Sequence, residues 1–333
     1  MKKIISVLLM LFMLFSFSAC TGENETGEQN QKITICLDWT PNTNHTGLYV
    51  ALLNGYYAEA GLDVQIVQPP EDGATLMCAS GQAQFAVDCQ DYLAPVFASD
   101  MPLDVTAVAA ILNHNTSGII GRKGEGMESP KGLEGKRYST WNLPVEQAMI
   151  RNVMESDGGD FDKVELIPNA ITDEALALKE NQTDAVWIYY GWSGINAEES
   201  GLEFDYWSFT DINPVFDFYT PVIIANNAYL KSNPEAAKAF VHATKRGYEF
   251  AVKNPEEAAK LLISGDETGS LKGNEDFVIK SQKWISEQYI ADGEGWGYIS
   301  GERWDGFYSW LWDNRLIESK IPEGFGFTNE FLN

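Results

Sequence analysis

Residues 33–67 read ITICLDWTPNTNHTGLYVALLNGYYAEAGLDVQIV, and this stretch decides the fold class. Residues 33–37 and 64–67 are short, mostly apolar runs rich in β-branched side chains, which predict two strands. Residues 47–54 between them have a helical pattern that ends at Gly55. A strand, a helix and a second strand in this order predict the start of a parallel sheet in an α/β protein.

The alternation of strands and helices continues and then restarts near Lys136. Further elements are expected, in chain order, as a helix at 73–80, strands at 85–87, 105–112 and 136–140, a helix at 144–155, a strand at 164–167, a helix at 173–179 and a strand at 185–189. Two successive α/β halves predict two lobes of similar build. A chain of 333 residues is long enough to form two cores.

The last third of the chain is nearly all helical. One strand at 222–225 precedes helices at 234–252, from 255 onward, at 277–289 and at 302–314. We expect this helical tail to pack back on the first lobe. The chain then crosses between lobes near 114–118 and again near 217–221, which predicts a hinge.

These crossings divide the chain into lobe 1, formed by residues 33–114 and 221–333, and lobe 2, formed by residues 115–220. In open α/β sheets, ligands bind outside the carboxyl ends of the strands. The sequence therefore predicts a ligand site in the cleft between the two lobes.

The N-terminus has the pattern of an export signal. Lys2 and Lys3 precede a mainly apolar run at 4–17, and Ser18, Ala19 and Cys20 follow. This predicts a signal peptide at 1–20, with Cys20 as a lipidated N-terminus; plain secretion is the alternative. Residues 21–32 are polar and predict a flexible tether to the membrane.

Composition excludes some classes of partner. The net charge of −25 disfavours contact with nucleic acid, because phosphate backbones are themselves anionic. The remaining cysteines, Cys36, Cys78 and Cys89, show no metal-ligand spacing, so no metal site is expected. A Cys78–Cys89 disulfide stays open as an alternative to buried free thiols. We expect a monomer.

The loop after the first predicted strand holds the first candidate site residues. Trp39 stands at the end of a strand within a polar loop, where it is well placed to stack on a planar ligand. Asp38 and Asn44 are candidates to bind the edge of that ligand, and His45 is a candidate for the rim of the cleft. The alternative is that Asn44 or Thr46 caps the next helix.

Several of these segments resemble a known family. The stretch LDWTPNTNHTGLYVALLNGYYAEAGLDVQIVQPP at 37–70 resembles the opening of the thiamine-pyrimidine family of ABC-importer binding proteins. The resemblance continues in order through NHNTSG at 113–118, YYGW at 189–192, DFYTPV at 217–222 and SQKW at 281–284. It implies a two-lobed periplasmic-binding-protein fold of type II with two crossover strands. It also implies an extracytoplasmic protein that delivers formylaminopyrimidine or hydroxymethylpyrimidine to a membrane permease.

A 4-aminopyrimidine needs aromatic rings against its faces and a carboxylate at its amino edge. Trp39, Tyr190 and Trp192 are candidates for the faces, and Glu146 or Asp217 for the carboxylate. The alternatives are a solvated acid in the first turn of a helix for Glu146 and hinge hydrogen bonding for Asp217. The full set of expected ligand contacts is Asp38, Trp39, Asn44, His45, Asn115, Glu146, Tyr190, Trp192, Asp217 and Tyr219.

An enzyme and receptors for other ligands are the competing hypotheses. A pyrimidine synthase similar to this family uses pyridoxal phosphate, with a lysine and a donor histidine where this chain has Asp88 and Tyr92. Its cysteine-rich run is replaced by VFDFY at 215–219. We therefore expect no catalytic residues and no cofactor. A sulfonate, a nitrate-like anion or a flavin precursor remain alternative ligands, although an oxyanion receptor would need Arg or Lys at the cleft.

Overall fold

The structure is a computed structural model that describes residues 30–169, 171–290 and 295–333. The predicted signal peptide, Cys20 and the tether up to residue 29 lie outside the described residues. Within the described ranges, ten strands form two five-stranded sheets that are covered by helices. No helix in those ranges combines the length and the apolar character needed to cross a membrane.

The first sheet has the strand order β2-β1-β3-β10-β4. Its strands are β1 (Gln31–Cys36), β2 (Leu62–Val67), β3 (Phe85–Asp88), β4 (Val105–Ala110) and β10 (Val222–Asn226). β1 pairs in parallel with β2 and β3, whereas β10 is antiparallel to β3 and β4. Ile33 and Ile35 of β1 are buried, as the apolar pattern predicts.

The second sheet has the strand order β7-β6-β8-β5-β9. Its strands are β5 (Ser117–Arg122), β6 (Arg137–Thr140), β7 (Glu165–Pro168), β8 (Ala185–Tyr189) and β9 (Phe204–Ser208). β6, β7 and β8 run in parallel, and β5 is antiparallel to both β8 and β9. The lobe boundaries predicted from the sequence fall between strands of different sheets, and their exact positions stay a prediction.

The antiparallel strands follow from the way the chain crosses between the sheets. β10 begins at Val222, immediately after the chain has left the second half, and β5 begins at Ser117, shortly after the chain has left the first sheet. A strand that enters a sheet at the shared edge must run away from that edge, whereas β1, β3 and β4 run toward it. The sequence pattern missed β5, because Gly118 and Gly121 interrupt its apolar run.

The α-helices cover both faces of the sheets. Their bounds are α1 (Thr46–Leu53), α2 (Tyr56–Glu59), α3 (Ala74–Ala79), α4 (Gln90–Ala98), α5 (Pro144–Ser156), α6 (Glu174–Lys179), α7 (Ile195–Glu199), α8 (Phe209–Ile212), α9 (Asn227–Ser232), α10 (Pro234–Lys253), α11 (Pro255–Gly265), α12 (Glu275–Ser286) and α13 (Gly301–Asp313). Proline occupies the first turn of α5, α10 and α11, where no amide hydrogen is needed. The pattern did not predict α4.

The helical tail packs mainly on the first sheet, in line with the sequence. α10 lies directly on α1, and this close approach needs glycine on both helices: a Cβ on Gly247 would stand 2.0 Å from the carbonyl oxygen of Gly47. The tail also reaches the second half of the molecule. α12 contacts α7 and a π-helical turn at Tyr190–Gly194, and α13 contacts residues 214–216.

Candidate functional site

The strand ends of the two sheets that lie next to the crossover segments form the candidate site, which is called the cleft below. In the first sheet, Val222 pairs with both Asp88 and Ala110, so the ends of β3 and β4 share an edge with the start of β10. In the second sheet, Ser117 pairs with Tyr189, the last residue of β8. Only residues 111–116 separate β4 from β5. Because six residues reach at most about 20 Å, the two edges must lie close together.

Trp39 lies at the end of β1, on the first edge. Its side chain is 66 % exposed, which is unusual for so large an apolar group. An exposed indole beside a polar loop is available to stack on a ligand. The role of Trp39 as a ligand contact stays a prediction.

His45 holds the carboxylate of Asp38 in place. The imidazole is completely buried, and its Nδ1 accepts a hydrogen bond from the backbone N–H of Asn42 over 3.2 Å. This bond assigns the ring proton to Nε2, which lies 2.7 Å from Oδ1 of Asp38. Both ring nitrogens are therefore engaged by protein groups, whereas Asp38 remains partly exposed; the roles of His45 and Asp38 as ligand contacts stay predictions.

The loop that carries Asp38 is capped by a residue other than the one considered from the sequence. The side chain of Asn42 accepts from the backbone N–H of Asn44 over 2.9 Å and begins a short 3₁₀ turn at 43–45. The carbonyl of Asn44 accepts from the hydroxyl of Tyr248 over 2.7 Å. Asn44 therefore helps to fix the loop through its backbone.

Two further carboxyl groups stand at the end of β3. Asp88 accepts from the hydroxyl of Thr75 and from the backbone N–H of Cys89, and burial raises the pKa of Asp88 to about 6. Burial, followed by the charge of Asp88, raises the pKa of Asp91 to about 7. Oδ1 of Asp91 is buried and has no hydrogen-bond partner among the described residues. This edge is thus strongly acidic.

Tyr92 connects this acidic edge with the opposite side of the cleft. It belongs to the first turns of α4, and its side chain is 50 % exposed. Burial raises the pKa of its phenol, and the charges of Asp91, Cys89 and Asp88 in the first half and of Glu146 in the second half raise it further. Tyr92 therefore lies within electrostatic range of both edges.

Trp141 is the counterpart of Trp39 on the second sheet. It directly follows β6, whereas two residues separate Trp39 from the end of β1, and its side chain is 41 % exposed. One side of its indole rests on the buried Trp187, with the ring centroids 5.7 Å apart. The sequence analysis did not select Trp141, although its position after a strand is the same signal that selected Trp39.

Glu146 is buried, with only 4 % of its surface exposed, and its carboxylate is fully engaged. It caps the start of α5 and fixes the loop that carries Trp141 by accepting four hydrogen bonds. The donors are the Tyr138 hydroxyl (2.7 Å), the Thr140 hydroxyl (2.9 Å), the Trp141 N–H (3.1 Å) and the Leu143 N–H (3.3 Å). The geometry supports a positioning role and leaves little capacity to accept from a ligand.

Tyr190 and Trp192 pack against the helical tail. The ring of Tyr190 lies 5.2 Å from that of Trp284, and its hydroxyl donates to Glu198 over 2.6 Å. Burial and that contact raise the pKa of Tyr190 to about 12. Trp192 makes an edge contact with Phe277 at 4.6 Å. Both aromatic rings thus join the two halves at the flank of the cleft.

Asp217 ties the two crossover segments together. Its Oδ2 lies 2.7 Å from Nδ1 of His114, and its Oδ1 accepts from the backbone N–H of Asn115 over 3.0 Å. Asn115 is buried and donates through Nδ2 to the carbonyl of Phe216 over 2.8 Å. Hinge hydrogen bonding, the alternative considered for Asp217, is therefore present in the structure.

Tyr219 belongs to the same hinge. It is buried, and its hydroxyl accepts from the backbone N–H of Ser300 over 2.7 Å. The guanidinium of Arg303 lies 4.4 Å from the centre of its ring and donates through Nε to the carbonyl of Asp217 over 3.2 Å. Arg303 is thus engaged by protein groups at the hinge.

The family described as "NMT1/THI5 like" matches residues 42–258. A formylaminopyrimidine-binding protein from Halalkalibacterium halodurans is 31 % identical over 326 residues, which is 96 % of each chain. The chain belongs to the NMT1/THI5-like family. The resemblance inferred from the sequence segments is thereby confirmed.

Other members of the NMT1/THI5-like family bear a different name. A 4-amino-5-hydroxymethyl-2-methylpyrimidine phosphate synthase from Saccharomyces cerevisiae is 26 % identical over 256 residues, which is 70 % of each chain. Among solved structures, the periplasmic aliphatic sulphonate binding protein from Escherichia coli matches with a TM-score of 0.66 at 12 % identity, over 87 % of this chain and 90 % of that one. This likeness shows the fold, and this family member has the predicted periplasmic-binding-protein fold of type II.

The strand-end segments of this family member lack basic side chains. The segments at the two edges, 37–46, 88–92, 111–117, 141–146, 189–194 and 208–221, contain no Lys and no Arg. The described residues contain no group of three His, Cys, Asp or Glu side chains that could hold a metal ion. Cys36, Cys78 and Cys89 are buried free thiols, so the Cys78–Cys89 disulfide considered from the sequence is not formed.

A separate cavity lies on the first half alone. It has a volume of about 650 Å³ and is lined by residues of β1, β2, α1 and the end of α11, including Lys32, Tyr49 and Glu267. No residue of the second sheet contributes to it. The cleft is the stronger candidate site, because exposed aromatic rings and carboxyl groups stand at the strand ends of both sheets.

Proposed function

We propose that this protein is the extracytoplasmic substrate-binding subunit of an ABC importer. We propose further that it captures an aminopyrimidine precursor of thiamine, formylaminopyrimidine or hydroxymethylpyrimidine, between its two lobes. Support comes from the formylaminopyrimidine-binding protein that matches nearly the whole chain. The importing permease is then the membrane partner.

The observation that carries this proposal is the chemistry of the two edges. They present carboxyl groups and exposed aromatic rings, and their segments contain no Lys or Arg. An aminopyrimidine donates from its amino edge and offers two apolar faces, which matches such a cleft. A sulfonate or nitrate would instead meet like charges, whereas oxyanion sites are normally built from Arg or Lys.

In the proposed complex, the ring stacks on Trp39, with Tyr92 or Trp141 as its second aromatic neighbour. The amino edge faces Asp38, which His45 holds in place, and the carboxyl groups of Asp88 and Asp91 add negative potential. This assignment replaces the sequence-based choice of Glu146 or Asp217 as the accepting carboxylate, because both of those groups already bind donors of the protein.

We propose that the chain binds without catalysing a reaction, and this separates it from the relatives named as synthases. The positions that the resemblance assigns to a cofactor-binding lysine and a donor histidine hold Asp88 and Tyr92. Neither side chain can form a Schiff base with pyridoxal phosphate. A mixture of protein and pyridoxal phosphate should therefore show no new absorbance band, and the appearance of one would favour the enzyme.

The proposed location is the outer face of the bacterial cell membrane. Support comes from the sequence alone: the apolar run at 4–17 and the small residues before Cys20. A lipidated Cys20 with two or three acyl chains would give stable anchoring. We propose a monomer on this tether.

Thermal unfolding with candidate ligands tests the proposal. A ligand that binds only the folded state adds RT ln(1 + [L]/Kd) to its stability, which is about 2.7 kcal/mol at 100-fold excess over Kd. Hydroxymethylpyrimidine and formylaminopyrimidine should raise the melting temperature, and the bulkier thiamine should raise it less. Stabilisation by alkanesulfonates or nitrate, with none by the pyrimidines, would assign the cleft to another ligand class.

A further inference from the structure

Ser281 forms a buried link between the loop of Asp38 and the second half of the molecule. The residue lies in α12 and is completely buried. Its hydroxyl donates to the backbone carbonyl of Gly191 and stands 2.7 Å from Oγ1 of Thr43. A serine hydroxyl has one hydrogen to donate, so Thr43 must donate to Ser281. Two hydroxyl groups thus connect the loop, α12 and the turn at Tyr190–Gly194.

On the first side of this link, the loop is firmly attached to the helical tail. The carbonyl of Thr43 accepts from the hydroxyl of Tyr289, and the hydroxyl of Thr46 donates to Gln282, the neighbour of Ser281. All of these groups are buried. The same short loop carries Asp38 and Trp39, so Ser281 is connected through Thr43 to the residues that the proposed function places against the ligand.

On the second side, Ser281 binds a turn that packs closely against α12. Gly191 lies in the π-helical turn that follows β8, and single π-helical turns frequently occur at functional sites. A Cβ at Gly191 would stand 3.0 Å from the ring of Trp284 and 3.1 Å from Ile285. A larger residue at this position would require Trp284, Ile285 or the turn itself to shift by a few tenths of an ångström.

The contacts around Ser281 attach the helical tail to the second half of the molecule. The rings of Tyr190 and Trp192 pack on α12, as described above, and Lys280 lies 2.7 Å from Glu199 at the exposed rim. Ser281 is the polar centre of this contact. Its hydrogen bonds are therefore shielded from water, which makes them costly to break.

We propose that Ser281 is a positioning residue for ligand capture, which transmits the position of the ligand-bearing loop to Gly191 and thereby holds the closed cleft. Thr43 belongs to the loop that carries Asp38 and Trp39, and Thr43 and Ser281 together hold the second half against α12 while the ligand is bound. The consequence for binding is slow release. The ligand named here rests on the proposed function, whereas the link itself does not.

Ser281→Ala tests the link, and Ser286→Ala is its matched control. Ser286 is a buried serine on the same helix whose hydroxyl donates to the carbonyl of Ala251 over 3.0 Å and accepts from Nε2 of Gln282 over 2.9 Å, so Ser286→Ala removes hydrogen bonds within the first half and leaves the bond to Gly191 in place. Ser281→Cys fills the same space with a much weaker donor. Each variant is compared with the wild type by its melting temperature, by stopped-flow association and dissociation rates for hydroxymethylpyrimidine, and by amide hydrogen exchange at 189–194.

We expect Ser281→Ala and Ser281→Cys to raise the dissociation rate roughly five- to tenfold, the size expected for one net hydrogen bond, with the association rate unchanged. Exchange at 189–194 should be faster in both variants. Ser286→Ala should lose comparable thermal stability without either effect. Wild-type release from Ser281→Cys, or equal acceleration in Ser281→Ala and Ser286→Ala, would overturn the inference.

Hydrogen exchange of the ligand-free protein separates this inference from the proposed function. If the wild type binds no pyrimidine, the proposed function fails, and exchange at 189–194 alone decides on the link. Faster exchange in Ser281→Ala than in Ser286→Ala would then still support it. Equal exchange in the two variants would refute it.

Discussion

Asp91→Asn should make the stability of the ligand-free protein less sensitive to pH between 5 and 8. Burial and the neighbouring charge of Asp88 raise the pKa of Asp91 to about 7, and its Oδ1 is buried without a partner among the described residues. Asparagine has nearly the same shape but does not ionise. The substitution therefore removes the cost of charging this site and leaves the packing in place.

The sign follows from the raised pKa. The folded protein keeps the proton of Asp91 up to about pH 7, whereas the unfolded chain loses it near the ordinary value of 3.8. Between these values the folded state binds more protons, so the free energy of unfolding falls as the pH rises. From pH 5 to pH 8 the loss from this group is about 2.6 kcal/mol, at about 1.4 kcal/mol per pH unit until the folded state also ionises.

Melting temperatures of the wild type and Asp91→Asn at pH 5 and pH 8 measure this loss. For a protein of this size, about 2.6 kcal/mol corresponds to roughly 4 to 6 °C. The wild type should lose that much more than the variant between the two pH values. Asp100→Asn, on an exposed carboxyl, is the control and should behave as the wild type. Parallel pH profiles for the wild type and Asp91→Asn would show that Asp91 ionises normally.

Three further predictions concern the cleft and the anchor. Trp39→Ala should weaken pyrimidine binding by about 1–3 kcal/mol, as expected for loss of a stacking ring, with an unchanged melting temperature because the side chain is exposed; unchanged affinity in calorimetry would place the ligand elsewhere. Glu146→Gln should lower the free energy of unfolding in urea by about 2–4 kcal/mol, because an amide cannot accept all four hydrogen bonds, whereas Glu155→Gln on the exposed side of the same helix should have little effect. Cys20→Ala should move the protein from the membrane fraction to the soluble fraction, and an unchanged distribution would argue against lipidation.

The sequence predicted most strands and helices because their apolar runs are uninterrupted. β1, β3, β8 and the long helices of the tail lie within a few residues of their expected bounds. It missed β5, whose two glycines weaken the pattern. A Cβ at Gly118 would stand 2.2 Å from the carbonyl of Trp207 on β9, so the close packing of these two strands requires glycine. The same glycine weakens the apolar pattern from which β5 could have been predicted. Such a requirement comes from the partner strand and is invisible in a single segment.

The candidate site was predictable only in part, for a similar reason. The position of Trp39 after a strand is a local property, and the same signal applies to Trp141. The engagement of Glu146 is set by donors that tertiary structure brings to it, since a glutamate in the first turn of a helix can equally face water. The aromatic partners of Tyr190 and Trp192 come from α12, which lies about ninety residues further along the chain. No spacing rule connects segments so far apart.

In the proposed function, the acidic side chains of the cleft contribute to ligand selection by disfavouring anions. Burial raises the pKa of both Asp88 and Asp91; the charge of Asp38 adds to the shift of Asp88, and the charge of Asp88 adds to that of Asp91, so the ligand-free protein carries an electrostatic cost at this edge. A hydrogen-bond donor such as an exocyclic amine relieves that cost when it binds, whereas an anion increases it. If the proposed function is correct, selectivity for amino-bearing rings over oxyanions follows from an unfavourable property of the ligand-free protein. Asp91→Asn therefore has two expected effects. It should stabilise the ligand-free protein at pH 8, and it should reduce the difference in affinity between the aminopyrimidine and a ring of the same shape without the amino group.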